Sequence, residues 1–183
     1  MQKLFLSLLF TLLMIGCSSK EYYTFGDTSN IYVEQTYKEI ISVEKVEIPK
    51  YLKDNAIVRQ ISPYQVIRLK NANWLTPMQK RLTNVLINYL QQSLNNPNIY
   101  LYPWESKKKT TKRVSLKIKR FIAYNKEVIL EASYQIRSLK NRTHQTKLFT
   151  TKVPTVEETE GMMESMEKAY FKLMKQIKKD IIK

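Results

Sequence analysis

The side chains that most often carry chemistry are scarce in this sequence. It holds one Cys (Cys17) and one His (His144) in 183 residues. A single Cys excludes an internal disulfide, and one Cys with one His excludes a Cys/His zinc cluster. The carboxylates Glu157, Glu158 and Glu160 stand together, but at a helix start, where negative charge is stabilised without any catalytic role. No Gly-rich phosphate loop and no Ser nucleophile elbow is present. His144 lies in the polar stretch Asn141-Arg142-Thr143-His144 and reads as a surface residue. The residues point away from an enzyme, with no cofactor and no metal site expected. What remains is charge: 31 Lys and Arg against 16 Asp and Glu give +15. The densest basic run is Lys107-Lys108-Lys109-Thr110-Thr111-Lys112-Arg113, continued by Lys117, Lys119 and Arg120. It reads either as a solvated loop and strand face or as a contact for anionic head groups or an acidic partner. Near a charged membrane such a contact gains about 1 kcal/mol per basic residue.

Cys17 has a different context. Lys3 precedes an uncharged, mostly apolar run from Leu4 to Ile15, which ends in Met14-Ile15-Gly16-Cys17-Ser18-Ser19. That run is too short for a spanning helix, which needs about 20 residues, but it suits a signal-peptide core. A small residue directly before Cys at the end of such a run resembles the lipobox of bacterial lipoproteins, with Met14 where Leu is usual. The resemblance implies a lipid on the Cys17 thiol, cleavage between Gly16 and Cys17, and a palmitate-type acyl chain on the new amino terminus. The expected organisation is a signal peptide over 1–16, a lipidated tether over 17–21 and one domain over 22–183. Export makes nucleic acid an improbable partner for the positive charge. Ser18, with no Asp after the Cys, points to a periplasm-facing anchor in the cell outer membrane.

The elements that must position these residues follow from periodicity. Strands are predicted at Tyr22–Phe25, Ile40–Ile48, Ala56–Ile61, Tyr64–Leu69 and Asn98–Tyr102, the third and fourth as a hairpin around Ser62-Pro63. Thr76-Pro77 reads as the cap and first position of a helix whose apolar stripe is Met78, Leu82, Val85, Leu86, Tyr89, Leu90 and Leu94. From Arg113 to Tyr124, Val114, Leu116, Ile118, Ile122 and Tyr124 are assigned to one face, with Arg120 an exception on it. The chain turns at Asn125-Lys126 and returns over Glu127–Leu139, with Val128, Leu130, Ala132, Tyr134 and Ile136 inward. Thr146–Val153 completes a meander. Thr155 and Glu158 read as a capping box for a last helix with the stripe Met162, Met166, Ala169, Tyr170, Leu173, Ile177 and Ile181. The fold class is α+β: a single domain with a largely antiparallel sheet packed by two long helices.

Several features admit a structural and a functional reading. Trp74 and Pro77 either contact a lipid or partner or anchor and start a helix. Met162, Met163, Met166 and Met174 either line an adaptable groove or pack the core. Tyr100, Tyr102 and Trp104 either sit at a membrane interface or pack a sheet. Lys172, Lys175, Lys178, Lys179 and Lys183 read as a solvated face that suits a helix C-terminus.

The ordered motifs resemble a known family. An exported lipoprotein start leads to Tyr22-Tyr23-Thr24-Phe25, then Ile48-Pro49-Lys50-Tyr51-Leu52, Asn55-Ala56-Ile57-Val58-Arg59 and Asn73-Trp74-Leu75-Thr76-Pro77. Leu116, Ile118, Arg120 and Phe121 and the strand Val128–Tyr134 follow. Together they are similar to the ABC-type transport auxiliary lipoproteins, the group containing paraquat-inducible protein C. Phe25, Lys53 and the immediate Val58-Arg59 step depart mildly from its pattern. The resemblance implies an accessory subunit of intermembrane lipid transport that works with an MCE-domain protein and an ABC transporter or integral membrane component. It also implies phospholipid or another hydrophobic molecule as the material handled, and a subunit capping a ring-shaped partner is itself a candidate homo-oligomer. The competing expectation is an envelope-binding or assembly lipoprotein that holds lipopolysaccharide, peptidoglycan or a protein without transport.

Overall fold

The computed structural model describes residues 19–26, 28, 31–33, 36–103 and 109–183. Gly16, Cys17, Trp104, Lys107 and Lys108 lie outside them. In chain order the elements are β1 (Glu21–Tyr23), β2 (Ile41–Val43), β3 (Ala56–Ser62), β4 (Gln65–Trp74), α1 (Met78–Ser93), β5 (Ile99–Leu101), β6 (Lys112–Tyr124), β7 (Glu127–Ser138), β8 (Thr143–Pro154) and α2 (Thr159–Ile181).

The eight strands form one mixed sheet. Its long ladders are antiparallel: β6 with β7, β7 with β8, and β3 with β4. The parallel pairings are short. β1 joins the end of β4, β2 lies between β5 and the start of β6, and β3 meets β6 through Arg59 and Ala123. The β6–β7 turn has Asn125 at φ 48° and Lys126 at φ 58°, the paired positive φ of a two-residue turn whose twist matches the strands.

Both helices cover one sheet face. The stripe residues Met78, Leu82, Val85, Leu86 and Leu90 of α1, with Met162, Met166, Tyr170, Leu173 and Ile177 of α2, join one core with the inward residues of β6 and β7. The four methionines singled out in the sequence are all buried in that core. At its centre Phe25 makes edge contacts with Trp74, Phe121 and Tyr170, ring centroids 6.1, 6.1 and 6.2 Å away. Such pairs are worth about 0.5–1.5 kcal/mol each beyond area burial. Tyr170 Oη donates to Leu82 O of α1 at 2.9 Å, and complete burial pushes its phenol pKa up.

Four expectations change in detail. The ladder between β6 and β7 slips between Ile118 and Arg120, so Lys119 is an extra residue. A bulge reverses the alternation beyond it. Phe121 and Ala123 therefore join the core, while Arg120, Ile122 and Tyr124 take the opposite face; Arg120 is no exception once the bulge is counted. The predicted strand Ile40–Ile48 breaks after Val43. Val46 turns to α1 instead, its N–H donating to Thr83 Oγ1 and its carbonyl accepting from Gln79 Nε2. At α1, Pro77 occupies the N-cap position and no side chain caps the helix. At α2 the N-cap is Glu158, again without a side-chain cap, and Thr155 Oγ1 points to the carbonyls of Val156 and Gly161. Ser165, bonding Pro154 O and Gly161 O, ties the first turns of the helix to the end of β8 instead.

The end of α2 is fixed by a buried carboxylate. Asp180 accepts from Tyr134 at 2.5 Å, Lys147 at 2.6 Å and Gln176 at 3.0 Å. Burial disfavours its charge, but these three donors and the Lys147 ammonium outweigh burial and hold its pKa well below the carboxylate range. Burial and the Asp180 bond push the Tyr134 phenol the other way, upward.

A folded-state pKa below the unfolded value stabilises the protein above the unfolded pKa, near 3.9, and the gain is lost as pH falls from there through the lower folded-state pKa. Asp180→Asn should therefore cost about 2 kcal/mol at pH 7. Urea midpoints should show that gap closing below about pH 4. Phe25→Ala, which empties the aromatic centre, should cost about 3–5 kcal/mol in the same assay.

Candidate functional site

The strand directions give the molecule two ends. β3 runs parallel to β6, and β6 antiparallel to β7. The β3–β4 turn, the β6–β7 turn and the start of α2 therefore lie at one end, where Thr155 N–H bonds Lys126 O. The start of β6, the β7–β8 turn and the end of α2 lie at the other. The thirteen residues of β6 separate them by about 40 Å at ~3.3 Å per residue.

The described part of the basic run, 109–113, belongs to the second end. Lys112 Nζ donates to Ile181 O and Tyr37 Oη and lies 5.1 Å over the Tyr37 ring. Its charge thus meets the negative end of the α2 dipole. The Arg113 guanidinium lies 3.8 Å over the Tyr102 ring, with Glu44 at 4.0 Å. Lys112 and Arg113 are therefore built into the fold, and Lys109 is the exposed described member of the run. Tyr100, half-buried, donates to Asn98, so neither tyrosine of the aromatic set is free of the sheet.

Topology enlarges the basic end beyond what the run announced. Leu139 N–H bonds Thr111 O, which holds the β7–β8 turn against the run. Arg137 pairs across the ladder with Arg113 and with His144. Exposed Arg137, Lys140 and Arg142 thus join Lys109 on one surface, with exposed Lys179 and Lys183 at the end of α2. Arg137, Arg142 and His144 line a shallow cleft of about 310 Å³ with Gln135, Ser138 and Leu139. No linear run marks Arg137, Lys140 and Arg142; only the pairing of β7 with β6 brings them in. Lys178 departs from the solvated face read from the sequence, since it is buried with a partner.

Trp74 closes β4 and is buried beside Phe25, the structural of its two readings. Among the described residues, no group of three or more His, Cys, Asp or Glu is placed to hold a metal ion. Nor is any helix among them long and apolar enough to cross a membrane.

Two solved structures share the fold. One, of an uncharacterised protein, superposes with a TM-score of 0.72 at 18% identity, covering 90% of this chain and 99% of its own. The other, a Xanthomonas campestris protein from a family of unknown function, gives 0.67 at 12% identity, covering 87% and 92%. No curated protein matches the chain. The family described as "ABC-type transport auxiliary lipoprotein component" matches residues 24–178, from the Phe25 segment through nearly all of α2. On that match the chain belongs to the ABC-type transport auxiliary lipoproteins.

Proposed function

We propose that this protein is an accessory subunit of an ABC/MCE-type intermembrane lipid transport system, anchored in the outer membrane through acylated Cys17 and facing the periplasm. The observation that carries the reading is the separation of its two ends. β1 begins at Glu21, four residues after Cys17, so the tether is short and the anchoring membrane stays close to the domain. The basic surface of Lys109, Arg137, Lys140 and Arg142 lies at the far end of the long strands, away from the β3–β4 turn. A basic surface held away from the anchoring membrane suits an acidic protein partner standing in the periplasm better than the head groups of that membrane. The MCE-domain protein is the partner this reading names, and phospholipid is the cargo. Membership of a transport auxiliary family supports the accessory role.

Two variants test it in gently solubilised envelopes. Cys17→Ala should give a folded protein that leaves the outer-membrane fraction. Combined Arg137→Glu, Lys140→Glu and Arg142→Glu should keep the outer-membrane position. At low salt this triple variant should recover an MCE-domain partner about tenfold less well, a loss of roughly 1.4 kcal/mol. Undiminished recovery overturns the basic surface as the docking site. Recovery of lipopolysaccharide-assembly or peptidoglycan-associated proteins, with no MCE-domain partner, replaces transport with the envelope-binding reading.

A further inference from the structure

Toward its turn the β3–β4 hairpin leaves the ladders of the sheet, at the end that also carries the β6–β7 turn. β3 touches β6 only at Arg59, and β1 covers only Ala72–Trp74 of β4. From Gln60 to Leu69, neither outer edge of the hairpin has a ladder neighbour among the described residues. Its turn carries apolar side chains into solvent: Tyr64 is 98% exposed, Ile61 48% and Val66 47%. The tip is nevertheless held in shape. Gln60 Nε2 donates to the carbonyls of Ser62 and Pro63, Tyr64 N–H donates to Ser62 Oγ, and Arg120 fixes Gln60 Oε1 from β6. The turn is thus preformed while Tyr64 stands almost wholly in water.

The direction of the tether says what meets it. Tyr22 is level with Asn73, and Asn73 with Ala56. β1 runs parallel to β4 and β3 antiparallel to it, so going back from Tyr22 toward Cys17 is the same direction as going forward from Ala56 toward Ser62. Five residues from Tyr22 back to Cys17 reach at most about 18 Å. Six residues from Ala56 to Ser62 carry the hairpin about 20 Å. The tip thus extends as far as the acylated residue can, and on the same side.

We infer that the β3–β4 hairpin tip inserts Ile61, Tyr64 and Val66 into the interface of the bilayer that carries the Cys17 anchor. The inference rests on the lipidation proposed above. The tip supplies a second foothold that sets the tilt of the domain, with Tyr64 suited to the head-group level by its apolar ring and polar hydroxyl. Of the cations flanking it, Arg68 is paired with Asp54 and Arg59 donates to the backbone carbonyl of Glu157, so apolar contact rather than charge holds the tip in place.

The test uses the full mature lipoprotein in vesicles of phosphatidylethanolamine and phosphatidylglycerol. Tyr64→Cys introduces a thiol for an environment-sensitive fluorophore, while the acylated Cys17 thiol is blocked. Lys140→Cys at the far end serves as the water-exposed control. On floated protein, the label at position 64 should show blue-shifted emission and quenching by a shallow spin-labelled lipid, and the label at position 140 neither. Adding Ile61→Asp and Val66→Asp should abolish both signals at position 64 while flotation persists. Floated protein whose position-64 label stays as wet as the control overturns the insertion and leaves the anchor standing. Protein that fails to float, with mass spectrometry showing a free Cys17 thiol, overturns the anchor itself and the insertion with it.

Discussion

The packing of Phe25 against Trp74, Phe121 and Tyr170 is the constraint on which the rest depends, because each ring comes from a different part of the chain. Trp74 ends β4, Phe121 follows the β6 bulge, and Tyr170 sits midway along α2. Without the bulge, Phe121 would face away from this cluster. Tyr170 also reaches α1 through its hydroxyl, so sheet and both helices meet within one residue's neighbourhood. The backbone beside Phe25 is tied equally well. Gly26 N–H donates to Glu167, and Arg81 holds the carbonyls of Phe25 and Gly26. Gly26 stands at φ +86°, and an added Cβ would lie 2.4 Å from a Val85 methyl, so only glycine fits so close to α1. The segment next to the tether is therefore among the firmly held parts of the fold, and β1 leaves it in a fixed direction.

What the sequence reveals follows the range of the interactions that decide it. The helical stripes of α1 and α2 and the alternation in β6 and β7 are local, and their core-facing residues are legible except beyond the bulge. Lys119 carries no local signal of being the extra residue; the slip is decided by what packs on each face, which places Phe121 under Tyr170 and Ile122 beside Ile129. The same holds for the break after Val43. IISVEKVEI reads as continuous strand, but Thr83 and Gln79, more than thirty residues away, draw Val46 off the sheet, while Glu44 and Glu47 still bond Val114, Leu116 and Ile118 of β6. The short parallel pairings of β1, β2 and β5 are likewise non-local and leave no mark in hydrophobic period.

The basic surface divides in the same way. Lys107 to Arg113 is conspicuous as a run, yet two of its members are consumed by the fold: Lys112 at the α2 carboxyl end and Arg113 against Tyr102. Arg137, Lys140 and Arg142 are spread over six positions in the sequence and look unremarkable there, yet they stay exposed on the same end. Charge density along the chain marks one end of the molecule; strand pairing decides which charges stay exposed there.

A sheet with three long ladders also suits the role proposed above. A protein that joins a membrane to a partner must keep its two contacts apart and in fixed orientation. Extended strands cover more than twice the distance per residue that a helix does, and β6, hydrogen-bonded along its length to β7, spans the whole distance alone. With Cys17 acylated as proposed, a single point of attachment would let the domain swing and scatter the basic end over a wide arc. A rigid hairpin on the tether side removes most of that freedom once it touches the same bilayer, and the orientation it imposes passes through β3 and the Arg120–Gln60 bond into β6. The far end then points away from the membrane, where a partner crossing the periplasm would meet it.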